Sequence, residues 1–145
     1  MKAVRLAVRR PSKFGNKRYQ LDGIKFMSKA EAAYYWFKLK PRVEAGEITH
    51  LVFQPRIKCE IGGQKICDYI ADFSYIDRQE EGQHGQQGCE VVIEVKGYKT
   101  DVYNLKMKLV LALHRGIKII VIPSKDLKKE IANLPLQEGV KGEKD

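Results

Sequence analysis

Residues 91–97 read Val91-Val92-Ile93-Glu94-Val95-Lys96-Gly97, a β-branched run with an acid and a lysine set into it. A strand alternates its faces and rises ~3.3 Å per residue, so Glu94 and Lys96 point to one side, about 7 Å apart along the chain. The surrounding Val91, Val92, Ile93 and Val95 ask for a central position in a sheet. An unpartnered charge is costly to bury, so the two residues need each other, or a metal and a substrate. The plain alternative is an ion pair on an edge strand.

The rest of the chain supplies elements to surround that strand. Ser28-Lys29-Ala30-Glu31 has the form of a capping box, in which Ser28 accepts from an orphan amide and Glu31 reaches back to the cap. The helix it opens buries Ala32, Ala33, Trp36, Phe37, Leu39 and Val43 and ends at Gly46, with Pro41 either kinking it or starting another turn. Residues 48–54 read as a strand closed by Pro55, and Ile57 to Ile61 with Gly62-Gly63 as a hairpin. Its second strand is one long element, residues 65–76, with Tyr69, Ala71, Phe73 and Tyr75 on one face and Asp68, Ile70, Asp72, Ser74 and Ile76 on the other. The polar, Gly- and Gln-rich residues 77–90 read as a flexible connection.

Thr100 or Asp101 caps a second helix with Val102, Leu105, Leu109, Ala112 and Leu113 as its apolar face, ended by Gly116. Residues 117–122 form a further strand, and Ser124 or Asp126 opens a last short helix to about residue 133. The order predicts an α/β domain with a mixed sheet flanked by helices. It spans residues 21–133, between an arm at 1–20 and a flexible tail at 134–145.

A chain of 145 residues with 43% hydrophobic residues can bury a core without disulfides or a structural metal. Cys59, Cys67 and Cys89 are odd in number and match no zinc template, so they read as reduced thiols. No apolar run is long enough to span a bilayer and no signal peptide opens the chain, which predicts a cytoplasmic protein without a membrane partner.

The net charge is +9, and the first twenty residues hold seven Lys and Arg and no acid, which leaves +2 for the remainder. Such an arm binds phosphate backbones by releasing counterions, and Pro11, Gly15 and Asn16 interrupt any membrane-binding helix. Nucleic acid is therefore the expected partner, through Arg9, Arg10, Lys13, Lys17 and Arg18, with a merely solvated tail as the plain alternative. Lys99 and Lys106 belong to a second basic excess at residues 94–118, where Lys106 and Lys108 make either a phosphate-facing row or a solvated helix face.

Asp72 is the candidate to lie beside Glu94 and Lys96. Two converging carboxylates repel each other, which a hard divalent cation such as Mg²⁺ relieves.

Tyr69-Ile70-Ala71-Asp72, a hairpin, and then Glu94-Val95-Lys96-Gly97 resembles the active-site motif of PD-(D/E)XK nucleases. Ala71 stands where the name-giving Pro would. A wider pattern runs through Lys17, Asp22-Gly23-Ile24, Ser28 to Ala32, Ala45-Gly46-Glu47-Ile48, Gln54-Pro55 and Thr100-Asp101-Val102-Tyr103. It is similar to a family of small phage-encoded endonucleases related to junction-resolving enzymes, over roughly residues 15–122.

The resemblance implies a restriction-endonuclease-like core and a Mg²⁺-dependent DNA endonuclease, with Mn²⁺ able to substitute, acting in the host cytoplasm and selective for DNA structure such as branches or junctions. Asp72, Glu94 and the backbone carbonyl of Val95 would hold the metal. Lys96 would orient or deprotonate the attacking water or stabilise the transition state, and Glu31 would ligate a second metal or position a metal-bound water. Glu31 could equally be only the acceptor half of the capping box. Gln54 either reaches the site or is a polar strand end.

One such site cuts one strand, so symmetric cleavage calls for a homodimer, with the Gly62-Gly63 hairpin or the run Tyr34-Tyr35-Trp36-Phe37 as added apolar contact. The competing reading makes those aromatics core and the protein a monomeric nickase. The functional alternatives are a non-cleaving DNA-binding or assembly subunit, against which all four site residues speak, and a regulator that binds a host factor.

Overall fold

The computed structural model describes residues 18–82, 85 and 87–135. Arg9, Arg10, Lys13, Lys17 and the tail after Pro135 lie outside the described residues. The first element is a hairpin absent from the sequence reading, β1 (Tyr19–Leu21) with β2 (Ile24–Phe26). Asp22 and Gly23 between them stand at φ 57° and 74°, the left-handed pair that a two-residue type I′ turn requires. Leu21 and Phe26 are core residues, so the domain begins within the stretch assigned to the arm. Leu134, assigned to the tail, packs against the same core.

The first helix is broken into α1 (Lys29–Tyr34), a π-helical turn (Tyr35–Leu39) and α2 (Lys40–Glu44). The Lys40 N–H donates to the carbonyl of Tyr35, five residues back. Pro41 explains the wide turn, because its ring crowds the carbonyl four residues before it and it has no N–H to give. The residue thereby inserted rotates the buried face. Tyr35 and Leu39 go inside, while Phe37 and Val43, expected in the core, are exposed. Tyr34 and Trp36 pack against the same core, so the aromatic run is largely spent on folding and offers little to a dimer contact. Gly46 ends the helix at φ 73° as expected.

Then come β3 (Ile48–Phe53), β4 (Arg56–Ile61), β5 (Gln64–Ile70), β6 (Phe73–Glu81) and β7 (Gln87–Lys96). They are followed by α3 (Asp101–Leu113), β8 (Ile117–Pro123), a 3₁₀ turn (Ser124–Leu127) and α4 (Lys128–Ala132). The main sheet has the order β3-β6-β7-β8, antiparallel except for the β7–β8 pair, which α3 joins as a parallel crossover. The molecule is thus α/β with a mixed sheet flanked by helices. The charged strand is central, as its apolar neighbours require, since β6 and β8 flank it.

The long strand expected over residues 65–76 is two strands in two sheets. At Gln54 the chain adopts φ 53° and the next residue is Pro55, so the strand turns out of the main sheet. Its partner bends with it: the Gln54 N–H donates to the Asp72 carbonyl at 2.9 Å and the Ala71 N–H to the Pro55 carbonyl at 3.1 Å. Beyond the bend, β4 and β5 form a separate two-stranded sheet. Gly62 and Gly63, at φ 59° and 78°, make its turn, and Ile61 and Ile66 near its tip are exposed.

Two apolar clusters result. Phe73, Tyr75, Val91 and Ile93 face β1–β2 and the broken helix, whereas Val92 joins Ile57, Cys59, Tyr69, Ala71, Tyr103 and Val110, contributed by the β4–β5 hairpin, the bend after it and α3. The three cysteines are free thiols.

Two further expectations are corrected. Residues 77–90 are mostly strand: Asp77 pairs with Cys89 and Glu81 with Gln87 across β6 and β7. Polar side chains concealed the ladder because its hydrogen bonds are made by the backbone. Asp77 is itself buried, and Arg42 reaches it at 2.9 Å while also donating to Glu47 at 3.2 Å and to Tyr75 at 3.3 Å. On α3 the buried residues are Tyr103 and Val110, with Met107 and Leu109 packed beside them, while Val102, Leu105, Ala112 and Leu113 are exposed. The helix meets the sheet through a stripe that includes a tyrosine and a lysine, which hydrophobicity counting does not select. Among the described residues no helix is long and apolar enough to cross a membrane.

Candidate active site

The bend at Ala71 and Asp72 creates the site. Asp72 sits where β5 leaves one sheet and β6 enters the other, and its N–H donates to the carbonyl of Ile93 at 3.1 Å, which ties it to β7. Its side chain turns to the same strand, where Oδ2 accepts from the Val95 N–H at 2.7 Å. Alternation along β7 sends Val91 and Ile93 into one cluster and Val92 into the other, and Glu94 and Lys96 follow Val92. Glu94 is buried, with Oε2 accepting from the Tyr69 hydroxyl at 2.8 Å and Oε1 lying 3.6 Å from Lys96 Nζ. Lys96 Nζ also lies 4.1 Å from the centre of the Tyr103 ring. Thr100 caps α3 by accepting from the Tyr103 N–H at 3.1 Å, and so fixes where that ring stands.

The electrostatics converge on Asp72. Burial pushes its pKa up, to about 8, and the charges of Glu31 and Glu94 add to the rise, against the Val95 N–H and Lys96, which oppose it. The Glu94 carboxyl is raised chiefly by burial, held back by the Tyr69 hydroxyl and Lys96. Tyr69 and Tyr103 are both raised by burial and then by the charge of Glu94. Among the described residues no hydrogen-bond partner meets the buried Tyr103 hydroxyl.

The four residues singled out from sequence therefore gather: Glu94 and Lys96 side by side, Asp72 across the strand pair, and Glu31 near enough for its charge to act on Asp72. The first turn of α1 delivers Glu31, whose N–H donates to Ser28 Oγ at 3.1 Å. The backbone amide of Glu31 thus serves the cap, while the charge of its carboxylate acts on Asp72. Gln54 adjoins the site through its backbone bond to Asp72. Lys106 lines the cleft of about 270 Å³ bordered by Tyr69, Glu94, Lys96, Thr100 and Tyr103, but its Nζ donates to the carbonyl of Asp68 at 3.0 Å. Lys108 is exposed and two residues away, so the two do not form a row. Lys99 and Arg18 are exposed.

Sequence reading missed Tyr69 and Tyr103. A buried tyrosine hydroxyl needs a partner, and Tyr69 on the inner face of a strand near two acids was the available signal.

The donor set suits a hard cation. Val95 engages Oδ2 of Asp72 and Tyr69 engages Oε2 of Glu94, while Oε1 of Glu94 faces Lys96 at 3.6 Å, so a cation would reach Glu94 through the oxygen it shares with that looser ion pair. Among the described residues no three His, Cys, Asp or Glu side chains form a metal cage. Mg²⁺ typically keeps several waters and takes one or two carboxylates, and Asp72 and Glu94 are the residues that could hold such a cation.

A family model described as "Protein of unknown function (DUF1064)" matches residues 11–130. No curated protein and no solved structure matches the chain.

Proposed function

The chain belongs to the DUF1064 family, and from that premise we propose that it is a metal-dependent DNA endonuclease that hydrolyses phosphodiester bonds. The observation that carries this reading is the convergence of Asp72, Glu94 and Lys96 at the bend, with Oδ2 of Asp72 on the Val95 N–H at 2.7 Å and Oε1 of Glu94 3.6 Å from Lys96 Nζ. Burial and the neighbouring charges of Glu31 and Glu94 raise the Asp72 carboxyl, and perturbed carboxyls of this kind cluster where chemistry is done. Mg²⁺, or Mn²⁺ in its place, would supply positive charge, acidify a water and neutralise phosphate oxygens. The same residues would be read as the acid, acid-x-lysine signature of PD-(D/E)XK nucleases.

In this reading Asp72 and Glu94 hold the cation through Oδ1 and Oε1, with the carbonyl of Val95 as a third oxygen. Glu31 orients a water on the side of α1. Lys96 shares the face of Glu94 and carries a cationic head that can hold the attacking water or the anionic transition state. Burial of Glu94 keeps bulk water from screening its charge. The basic arm adds sequence-independent affinity for the DNA backbone.

The second reading is a non-cleaving DNA-binding or assembly subunit that keeps the same fold. Incubation of labelled linear, nicked and branched DNA with Mg²⁺ or EDTA decides between them. Cleavage of any substrate that EDTA abolishes supports the nuclease, and its selectivity names the preferred DNA structure. Binding without cleavage in either Mg²⁺ or Mn²⁺ overturns it in favour of the subunit.

A further inference from the structure

The segment Thr100-Asp101-Val102-Tyr103 and the tyrosine of Tyr69-Ile70-Ala71-Asp72 have no part in the chemistry above, yet both tyrosines touch its residues. Tyr69 donates to one oxygen of Glu94 at 2.8 Å. The Tyr103 ring lies under the Lys96 ammonium at 4.1 Å, and the two rings pack with centroids 6.3 Å apart. Both are buried, at 3% and 7% exposure, and come from β5 and α3, on the side of the sheet that Glu94 and Lys96 face.

We propose that Tyr69 and Tyr103 are positioning residues, Tyr69 for the Glu94 carboxylate and the ring of Tyr103 for the Lys96 ammonium. The inference rests on the nuclease reading and adds how the acid and the lysine are kept in a fixed relation. A lysine has four rotatable bonds, and one weak interaction with Glu94 at 3.6 Å does not hold its head in place. A buried aromatic face beneath it does so by cation–π attraction. The hydrogen bond from Tyr69 takes one oxygen of Glu94 and so leaves the other for a cation, the usual work of an outer partner of a metal ligand. The orphaned Tyr103 hydroxyl separates the two roles. With no acceptor for that O–H, the useful part of Tyr103 is its ring, whereas the useful part of Tyr69 is its oxygen.

The roles predict opposite responses to one chemical change. In the full chain, titration with Mn²⁺ alone, followed by its electron paramagnetic resonance signal, should show about tenfold weaker binding for Tyr69→Phe and unchanged binding for Tyr103→Phe. In NMR spectra of the cation-free protein, the ε-methylene protons of Lys96 should be shifted upfield by the ring in the wild type and in Tyr103→Phe, and lose that shift in Tyr103→Leu. DNA cleavage should be retained by Tyr103→Phe and fall at least about tenfold in Tyr103→Leu.

Wild-type binding of Mn²⁺ that Tyr69→Phe leaves unaltered overturns the role of Tyr69 while the nuclease reading stands. An unshifted Lys96 in the wild type, or a Tyr103→Phe variant as impaired as Tyr103→Leu, overturns the role of the ring. The first of these needs no variant to fold. A wild type that binds no Mn²⁺ overturns the nuclease reading and the positioning roles together.

Discussion

Asp72 concentrates the tension in this molecule. Its carboxyl ordinarily titrates at 3.8 and is held up to about 8 in the folded chain, by burial first and then by Glu31 and Glu94. Between those values the unfolded chain has released the proton and the folded chain has not, so stability falls as pH rises through the interval and levels off above it. Asp72→Asn, neutral throughout, should gain thermal stability over the wild type across that interval in the absence of divalent cations, with the gain constant at higher pH. A pH series of melting temperatures tests this, and a constant difference from acid to alkali would refute it. Mg²⁺ should stabilise the wild type more as pH rises, because its binding displaces the proton, and should do little for Asp72→Asn. For the reaction itself, Asp72→Ala or Glu94→Ala should abolish cleavage and leave DNA binding intact or tighter. Lys96→Ala should slow turnover by ~10²-fold. Single-turnover cleavage beside a binding assay separates these outcomes from a loss of folding.

At the scale of elements, the β6–β7 hairpin shows how a polar sequence can still be obligatory strand. Gly88 lies inside it at φ 100°, and a β-carbon there would stand 2.6 Å from Ile76 Cγ2 and 3.2 Å from the carbonyl oxygen of Asp77. Gly88→Ala should therefore cost roughly 2 kcal/mol, strain and crowding together. Gly63→Ala, at φ 78° in the β4–β5 turn with no atom within 4 Å of the added carbon, should cost only about 1 kcal/mol for the strained backbone alone. Denaturant unfolding of the two variants gives the comparison, and equal losses would mean that the close approach at Gly88 is relieved by movement of Ile76. The π turn is the other element whose behaviour follows from one residue, Pro41, which changes which aromatics reach the core.

For the whole molecule, the uneven charge is the dominant property. Removing residues 2–17 should weaken binding to all DNA sequences alike and make the salt dependence shallower, by roughly 0.9 in the log–log slope for each phosphate the arm no longer neutralises. Titrations at several salt concentrations measure it, and an unchanged slope would make the arm a bystander. Whether two copies act together is a separate question. Of the aromatic run Tyr35 is buried and Tyr34 and Trp36 pack against the core, but Phe37, the hairpin-tip residues Ile61 and Ile66, and the outer stripe of α3 remain exposed. A homodimer predicts a doubled mass by light scattering at micromolar concentration and cuts in both strands, whereas a monomeric mass with nicks in one strand would refute it.

The central charged strand was legible in the residues alone, because only a buried β-branched run can place Glu94 and Lys96 on one face among Val91, Val92, Ile93 and Val95. So were the Ser28 cap, the start of α3 at Thr100 or Asp101, the Gly62-Gly63 turn and the order of α3, β8 and the last short helix, all of which are local in origin. The hairpin turn at Asp22-Gly23 obeys the same local rule and was legible too, though it was not recognised. The remaining features arise only when distant segments meet. The bend that divides residues 65–76 between two sheets depends on Gln54 and Pro55 in the partner strand, and the face that α3 buries depends on where β4 and β5 fold. The raised carboxyl of Asp72 comes first from burial by the folded chain and then from the charge of Glu31, which a helix much earlier in the chain brings to it. Local periodicity records what a residue prefers next to its neighbours, whereas burial and field depend on groups that come together only once the chain has folded.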